Sequence, residues 1–301
     1  MSGNNKTIAL ISILIVVLIW GSAFTVSKVG VNELPPLFLA FMRNAVASIV
    51  LLPFYLVVKR KGLAKNDPPL PWGRLVLLSL MGVTFFYAFF NISLTYTGAA
   101  MGSLIQGIMP LLIIVPAAVF LKEKVTGRVL TGILISVAGV IMVGFIGQKD
   151  DKGSILGNIL MMCSVCCWAV YTLISRSMNH YHPVPVTFFI TLTGTLLLIP
   201  GVLIEGWGEP VPAISGNGWM AILYLGILSS AICYILYNQA LKTLTAAQAG
   251  NFLNLDPVIG SVIALIFLKE HFSGLQYVGG ALVLLGVWLS SASPKEQPVK
   301  Q

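Results

Sequence analysis

Along this chain, runs of about twenty apolar residues alternate with short polar stretches. That is the length a helix needs to cross the hydrocarbon core of a bilayer. Within each run the apolar residues occupy every helical face rather than one stripe, so the helices are expected to be surrounded by lipid or by one another. Ten runs are legible. The first five lie near Ile8–Val29, Leu34–Val58, Trp72–Thr95, Gly98–Leu121 and Gly127–Ile146. The second five lie near Ser154–Met178, Pro183–Ile204, Gly218–Leu241, Ala246–Leu268 and Gly274–Ala292. No link between runs is long enough to hold a separate soluble domain. The expected fold class is therefore an all-α membrane protein of about ten transmembrane helices.

Composition agrees. Apolar residues make up 57% of the 301 and charged residues 9%, against roughly 25% charged in a soluble domain. Mean hydropathy is +0.91. A water-soluble enzyme, a disordered chain and a fibrous protein are excluded together. The net charge of +8 does not indicate nucleic-acid binding, because the basic residues sit in short links with no domain to display them.

Those basic residues set the topology instead. With an even number of helices, thirteen of the eighteen fall on the face that carries both termini: Lys6, Lys59, Arg60, Lys61, Lys65, Arg74, Lys122, Lys124, Arg128, Arg176, Lys242, Lys295 and Lys300. Lys28, Lys149, Lys152 and Lys269 fall on the other face, and Arg43 lies within a run. Positive residues stay in the cytoplasm, so a multi-pass inner-membrane protein with both termini cytoplasmic is expected. The first apolar segment continues past the leader-like small residues Gly21 to Ala23, and is read as a helix rather than a cleaved signal. Cys163, Cys166, Cys167 and Cys233 all lie in apolar runs, where packing is the expected role. His180 and His182 share a short link without a carboxylate cluster, so no metal site is expected.

The chain also resembles itself. Phe120-Leu121-Lys122-Glu123 recurs as Phe267-Leu268-Lys269-Glu270, a shift of 147. The same shift maps Pro110 to Pro257, Gly127 to Gly274, Gly132 to Gly279 and Gly139 to Gly286. It also takes Tyr87 to Tyr234, Asn91 to Asn238 and Leu94 to Leu241. With one residue of slippage, Trp20 meets Trp168, Ser27 meets Ser175, Lys28 meets Arg176 and Pro35 meets Pro183. Residues 1–148 and 149–301 are thus read as two repeats of one integral unit. Five helices is an odd number, so the second repeat enters the membrane from the opposite side. Inverted repeats are a transporter architecture with a site near the midplane.

The paired Pro…Leu-Lys-Glu…Gly segments, the five-plus-five repeat and the early Ile19-Trp20-Gly21-Ser22-Ala23-Phe24 resemble the drug/metabolite transporter superfamily, and within it the EamA branch. The resemblance runs from Ile8 to Ala292. It implies an inner-membrane carrier with a central cavity lined by the first four helices of each half, the fifth being peripheral. It also implies small-metabolite substrates, amino acids among them, and supports the fold far better than the solute.

Several residues could carry the chemistry. Asp256 lies mid-run, directly before Pro257, where a carboxylate costs ~2.5–3.5 kcal/mol to insert. It could couple protons or bind an amine, or cap carbonyls freed by the proline. Its repeat equivalent is Met109. Arg43 sits inside the second run. It could hold a carboxylate in a bidentate grip, pair with Asp256, or snorkel to an interface. Tyr87 and Asn91, like Tyr234 and Asn238, are spaced i, i+4 and should share a face. Such a face would cover the apolar part of a solute and orient its polar end. Trp20, Trp168 and Tyr171 fall in the first helix of each half, and Gln106, Gln239, Asn251 and Asn254 are further amides within apolar runs. The alternative for all of these is hydrogen bonding between helices, worth about 0.6 kcal/mol per contact in a membrane. Pro110 and Pro257 interrupt corresponding helices and are candidate hinges. Glu123 and Glu270 end their runs beside a lysine and are read as structural ties into the next helix.

The sequence carries no His-Glu-x-x-His, no phosphate-binding Gly-x-x-x-x-Gly-Lys-Ser/Thr and no Gly-x-Ser-x-Gly. No cofactor and no catalytic residue is expected. Without an ATP site the energy comes from a gradient, with protons as a candidate coupling ion. The expected function is a secondary transporter of small amphipathic metabolites, an amino-acid exporter first, working by alternating access. Carriage of drug-like cations, sugars or nucleotide sugars, or uptake instead of export, are the near alternatives. An intramembrane enzyme and a non-transporting sensor are the distant ones. Oligomeric state is not legible.

Overall fold

The computed structural model describes residues 3–109, 112–113, 116, 126–142, 154–206, 208, 213–253, 255–268 and 274–291. Its helices are α1 (Gly3–Glu33), α2 (Pro36–Arg60), α3 (Trp72–Tyr96), α4 (Ala99–Gln106) and α5 (Gly127–Ile141) in the first half. The second half has α6 (Ile155–Ser177), α7 (Pro183–Glu205), α8 (Gly216–Ala240), α9 (Ala246–Leu253), α10 (Leu255–Phe267) and α11 (Gly274–Ser291). Helices α9 and α10 both fall in the ninth apolar run. Six helices (α1, α2, α3, α6, α7 and α8) are long and apolar enough to cross a bilayer by themselves, and shorter apolar stretches fall in α5 and α11. The whole is an all-α membrane protein in a five-plus-five inverted repeat.

The helix starts follow from local chemistry. Pro36 and Pro183 stand in the first turn of α2 and α7, where the missing N–H costs nothing. The side chains of Thr126, Ser154, His182 and Ser215 accept hydrogen bonds from the first-turn amides of α5, α6, α7 and α8. Two interior prolines, Pro53 in α2 and Pro200 in α7, are repeat equivalents under the shift of 147. Pro257, expected to interrupt a helix, instead lies in the first turn of α10. Pro110 lies outside the described residues, as do Glu123, Glu270 and Asn254, and nothing is described of the Asn251 side chain.

Hydrogen bonds between helix ends establish the inversion. At the face where α1 begins, here the terminal face, Asp67 in the α2–α3 link accepts from the His182 N–H at 2.6 Å at the start of α7. Tyr181 donates to the Pro69 carbonyl at 3.2 Å beside it. At the far face, Glu205 at the end of α7 accepts from the Leu37 and Phe38 amides at 3.0 and 2.8 Å, satisfying the first turn of α2. Ser154 before α6 donates its N–H to the Tyr96 carbonyl ending α3, and Glu33 ending α1 bonds Ser215 before α8. Helix α1 therefore starts at the terminal face, whereas its equivalent α6 starts at the far face.

The last helices of the halves pack on each other. A Cβ on Gly139 would stand 2.6 Å from the Gly279 carbonyl, and one on Gly286 would stand 2.3 Å from that of Gly132. These are two equivalent pairs exchanging the same contact, and Ser136 donates to the carbonyl of its own equivalent, Val283, at 3.2 Å. Small residues let the backbones meet where the hydrophobic effect offers no drive.

The third helix of each half widens locally. Hydrogen bonding becomes π-type over Leu80–Phe85 in α3 and Tyr224–Ile232 in α8. The repeat shift carries Leu80 to Ile227 and Phe85 to Ile232, so the two widened segments coincide. Such turns free carbonyls and concentrate at functional sites. Nothing in the apolar pattern marked them.

Candidate functional site

Between the halves lies a cavity enclosing about 430 Å³ of space free of protein atoms, its open mouth included. Its wall includes Trp20, Phe24, Arg43, Phe86, Tyr87, Phe90, Gln106, Met109, Trp168, Ser229, Leu253 and Asp256. Three repeat pairs are in that wall: Trp20 with Trp168, Gln106 with Leu253, and Met109 with Asp256. The cavity therefore straddles the axis relating the halves.

Arg43 is 1% exposed, so it does not snorkel. Its Nη2 donates to Ser229 Oγ at 3.0 Å, Tyr87 Oη at 3.4 Å and the Leu225 carbonyl at 3.5 Å. Its Nε donates to Ser230 Oγ at 3.2 Å, and its guanidinium lies 4.1 Å from the centre of the Tyr87 ring. All its partners are neutral. The expected pairing with Asp256 does not form, although both line one cavity. The widened segment of α8 supplies Ser229, Ser230 and the Leu225 carbonyl, which already occupy the fork. Asp256 is 4% exposed, and its Oδ1 has no hydrogen-bond partner among the described residues. The cavity thus holds a cation seated on neutral groups and a carboxyl short of a donor.

Aromatic rings form the floor. Trp168 meets Trp20 edge to face with centroids 4.9 Å apart, and stacks on Tyr171 at 4.7 Å. Trp20 Nε1 donates to the Ser229 carbonyl at 2.9 Å, and the Tyr234 hydroxyl donates to the Gly82 carbonyl. Both carbonyls belong to the widened segments. Gly82 is required here, since a Cβ would stand 2.2 Å from the Tyr171 ring. The Trp168 indole is buried, with Tyr237 beside it at 5.5 Å between ring centroids.

The aromatic–amide faces are split. Tyr87 lines the cavity, but Asn91, one turn nearer the far face, donates to the Pro36 carbonyl at 3.0 Å and stands apart from it. Asn238 is likewise outside the wall. Its Oδ1 accepts from Ser175 at 2.6 Å and from Tyr171 at 3.2 Å, and its Nδ2 donates to Thr187 at 3.0 Å. Helix rotation decides this: i, i+4 residues share a face, but the face borders a neighbouring helix at one level and the cavity at another. Gln239, placed among buried amides from the sequence, is exposed at the bundle surface.

On the terminal side of the Asn238 layer lies a second, smaller cavity of about 240 Å³, bordered by Ser175, Asn179, Asn238 and Lys242. Sequence reasoning missed Ser229, Ser230, Thr187, Tyr237 and the ring wall of Phe24, Phe86 and Phe90. The repeat signals two of them, since it aligns Phe90 with Tyr237, but pairs Ser229 and Ser230 with Gly82 and Val83. No group of three or more metal-ligating side chains occurs among the described residues.

Comparison with known proteins follows from this geometry. The model of the EamA-like transporter family matches residues 7–145 and 155–292. An "Uncharacterized transporter" of Archaeoglobus fulgidus is 32% identical over 292 residues, covering 96% of this chain and 98% of the relative. A "Probable amino-acid metabolite efflux pump" of Escherichia coli is 23% identical over 285 residues, covering 92% of each chain. A solved crystal structure superimposes with a TM-score of 0.72 at 19% identity over 97% of both chains, a likeness of fold.

Proposed function

Because the chain belongs to the EamA-like transporter family, we propose that it carries small amphipathic metabolites of the amino-acid type across the inner membrane, as a secondary exporter. The observation that carries this reading is the meeting of Arg43 and Asp256 on one aromatic-walled cavity without an ion pair between them. A solute with one carboxylate and one ammonium completes both groups at once. Arg43 takes the carboxylate, and the serines and the Tyr87 ring hold the fork in place. Asp256 takes the ammonium or carries the coupling proton. Trp20, Phe24, Phe86 and Trp168 cover the solute's side chain, and Gln106 supplies a polar contact.

The energetics support the zwitterion over the alternatives. A lone cationic solute leaves Arg43 uncompensated, and a nucleotide sugar has two phosphates for one guanidinium. The name of the Escherichia coli relative points the same way. The basic residues of the sequence put the terminal face in the cytoplasm. Alternating access follows from the inverted halves: exchanging their conformations moves the opening from one face to the other.

Counterflow of a labelled amino-acid panel in proteoliposomes tests the reading, since exchange needs a solute path but no imposed gradient. Saturable exchange of one chemical subset, lost in Arg43→Gln and reduced in Asp256→Asn, is the expected result. Exchange of amines lacking a carboxylate, at the same affinity as the amino acids, would overturn it.

A further inference from the structure

On the terminal side of the central cavity, Ser175 Oγ donates to Asn238 Oδ1 at 2.6 Å, and one turn further along Arg176 Nη1 donates to the Leu241 carbonyl at 2.7 Å. The repeat equivalents of these four residues are Ser27, Asn91, Lys28 and Leu94. The outer of the two bonds is reproduced: Lys28 Nζ donates to the Leu94 carbonyl at 2.6 Å. The inner one is not. Ser27 Oγ and Asn91 Oδ1 are both buried, each residue fully enclosed, and neither atom has a hydrogen-bond partner among the described residues. The lysine contact joins α1 to α3 as the arginine contact joins α6 to α8, so the two unbonded atoms belong to neighbouring turns of packed helices. Leaving a buried acceptor and a buried hydroxyl unpaired is costly in any one conformation. It is sensible in a molecule that has a second conformation in which they pair.

We infer that Ser27 and Asn91 form the closing latch of the far face, the counterpart of the Ser175–Asn238 latch that closes the terminal face, and that the two latches make and break in alternation. This rests on the transport reading, because it assigns one latch to each end of an alternating-access cycle. In the described state the Asn238 layer is bonded, and it separates the central cavity from the smaller cavity bordered by Lys242. When the halves exchange conformations, the Ser27–Asn91 bond forms and the Ser175–Asn238 bond opens. The latches differ in strength. Asn238 also bonds Tyr171 and Thr187, whereas the equivalents of those two are Ala23 and Leu39, which have no side-chain donor or acceptor. The resting equilibrium therefore lies toward the state closed on the terminal face.

The test reads conformation without solute. In full-length protein with the four native cysteines replaced, Ala23→Cys on the cavity wall is labelled by a membrane-impermeant maleimide, in intact cells and in inverted vesicles. Ser27→Ala should raise labelling from the far face about 2- to 10-fold, the change one buried hydrogen bond makes to an equilibrium. Ser175→Ala should lower it and raise labelling from the terminal face. Ser27→Thr, which keeps the hydroxyl, serves as a second variant should the alanine change disturb folding, and should keep labelling within about 2-fold of the parent. Unchanged labelling in both serine variants, or shifts in the same direction, overturns the latch even if counterflow proceeds. Opposite shifts in a protein that exchanges no amino acid sustain the latch and overturn the solute assignment alone.

Discussion

The indole rings of Trp20 and Trp168 meet at 88° with centroids 4.9 Å apart, and the two residues are equivalents under the internal repeat. The axis relating the halves passes close to this contact, on the floor of the cavity. Each indole belongs to a different half, so a relative rotation of the halves slides one ring over the other. Trp20 is further tied to the widened segment of α8 through the Ser229 carbonyl. Trp20→Phe keeps the edge-to-face contact and removes that bond. The expected result is a 3- to 10-fold rise in the half-saturating solute concentration, from about 1 kcal/mol of lost hydrogen bonding. Trp20→Ala, which also removes a pair worth about 0.5–1.5 kcal/mol, should cost more. Concentration-dependent counterflow checks both.

Arg43 is expected to resist its conservative replacement. Its fork spans Ser229, Ser230 and the Leu225 carbonyl while stacking on Tyr87. A lysine ammonium keeps the charge but cannot hold that geometry. Arg43→Lys should weaken carboxylate-bearing solutes by more than 10-fold and leave decarboxylated amines within about 3-fold. Competition of amino acids and their parent amines against a labelled solute separates the two effects.

The coupling role proposed for Asp256 is tested by its neutral isostere. Asp256→Asn should flatten the dependence of transport rate on pH while solute exchange at fixed pH persists at a reduced level. A pH profile identical to the parent's sinks the coupling role. The equivalent residue Met109 lies on the same wall, so Met109→Leu should leave the profile untouched.

The α5–α11 contact is expected to be the most sensitive to added bulk. Backbone carbonyls already stand within 2.6 Å of where a Cβ on Gly139 or Gly286 would be. Gly139→Val and Gly286→Val should each destabilise by about 1–3 kcal/mol, read as a lowered midpoint of thermal unfolding in detergent. Gly127→Ala, where nothing lies within 4 Å, is the control and should shift it little.

His182 caps α7 outside the membrane span. Its Nδ1 accepts from the Val184 N–H at 3.3 Å, and burial together with Lys242 holds the imidazole below its ordinary range of about 6.5, against the opposing pull of Asp67. A depressed imidazole contributes stability that is present above pH ~6.5 and is lost as pH falls through the folded value. His182→Ser retains a capping oxygen without a titrating group. The acid side of the stability–pH curve should therefore be shallower in His182→Ser than in the parent.

Much of the architecture was legible because a bilayer makes simple demands. With no water to satisfy the backbone, most crossings are continuous helices of a set length, so run lengths located the six long spans, whereas the ninth run, expected as one helix, is two, α9 and α10. Boundaries differed at α1, which runs Gly3–Glu33 against the expected Ile8–Val29, and at α4, which ends at Gln106 within the expected Gly98–Leu121. The repeat was legible in Phe-Leu-Lys-Glu and the spaced glycines, and it implied inversion by the parity of five. Of the site, Trp20, Arg43, Tyr87, Gln106, Trp168 and Asp256 were identified and line the cavity. Asn91, Tyr171, Tyr234 and Asn238, also named from the sequence, lie beside the cavity rather than on its wall, bonded to neighbouring helices.

The sequence alone determined the solvent, the six long crossings, the inverted pairing of the halves and the few polar residues worth attention, since each follows from composition and spacing. Only the tertiary structure decided which of those residues meet. In lipid the hydrophobic effect does not distinguish one helical face from another. Rotation and crossing are set by close contacts between residues more than a hundred positions apart, such as Gly139 against Gly279 and Ser103 against Ser261. Those contacts seat Arg43 on two serines rather than on Asp256, and leave Ser27 and Asn91 unbonded to each other where Ser175 and Asn238 are joined.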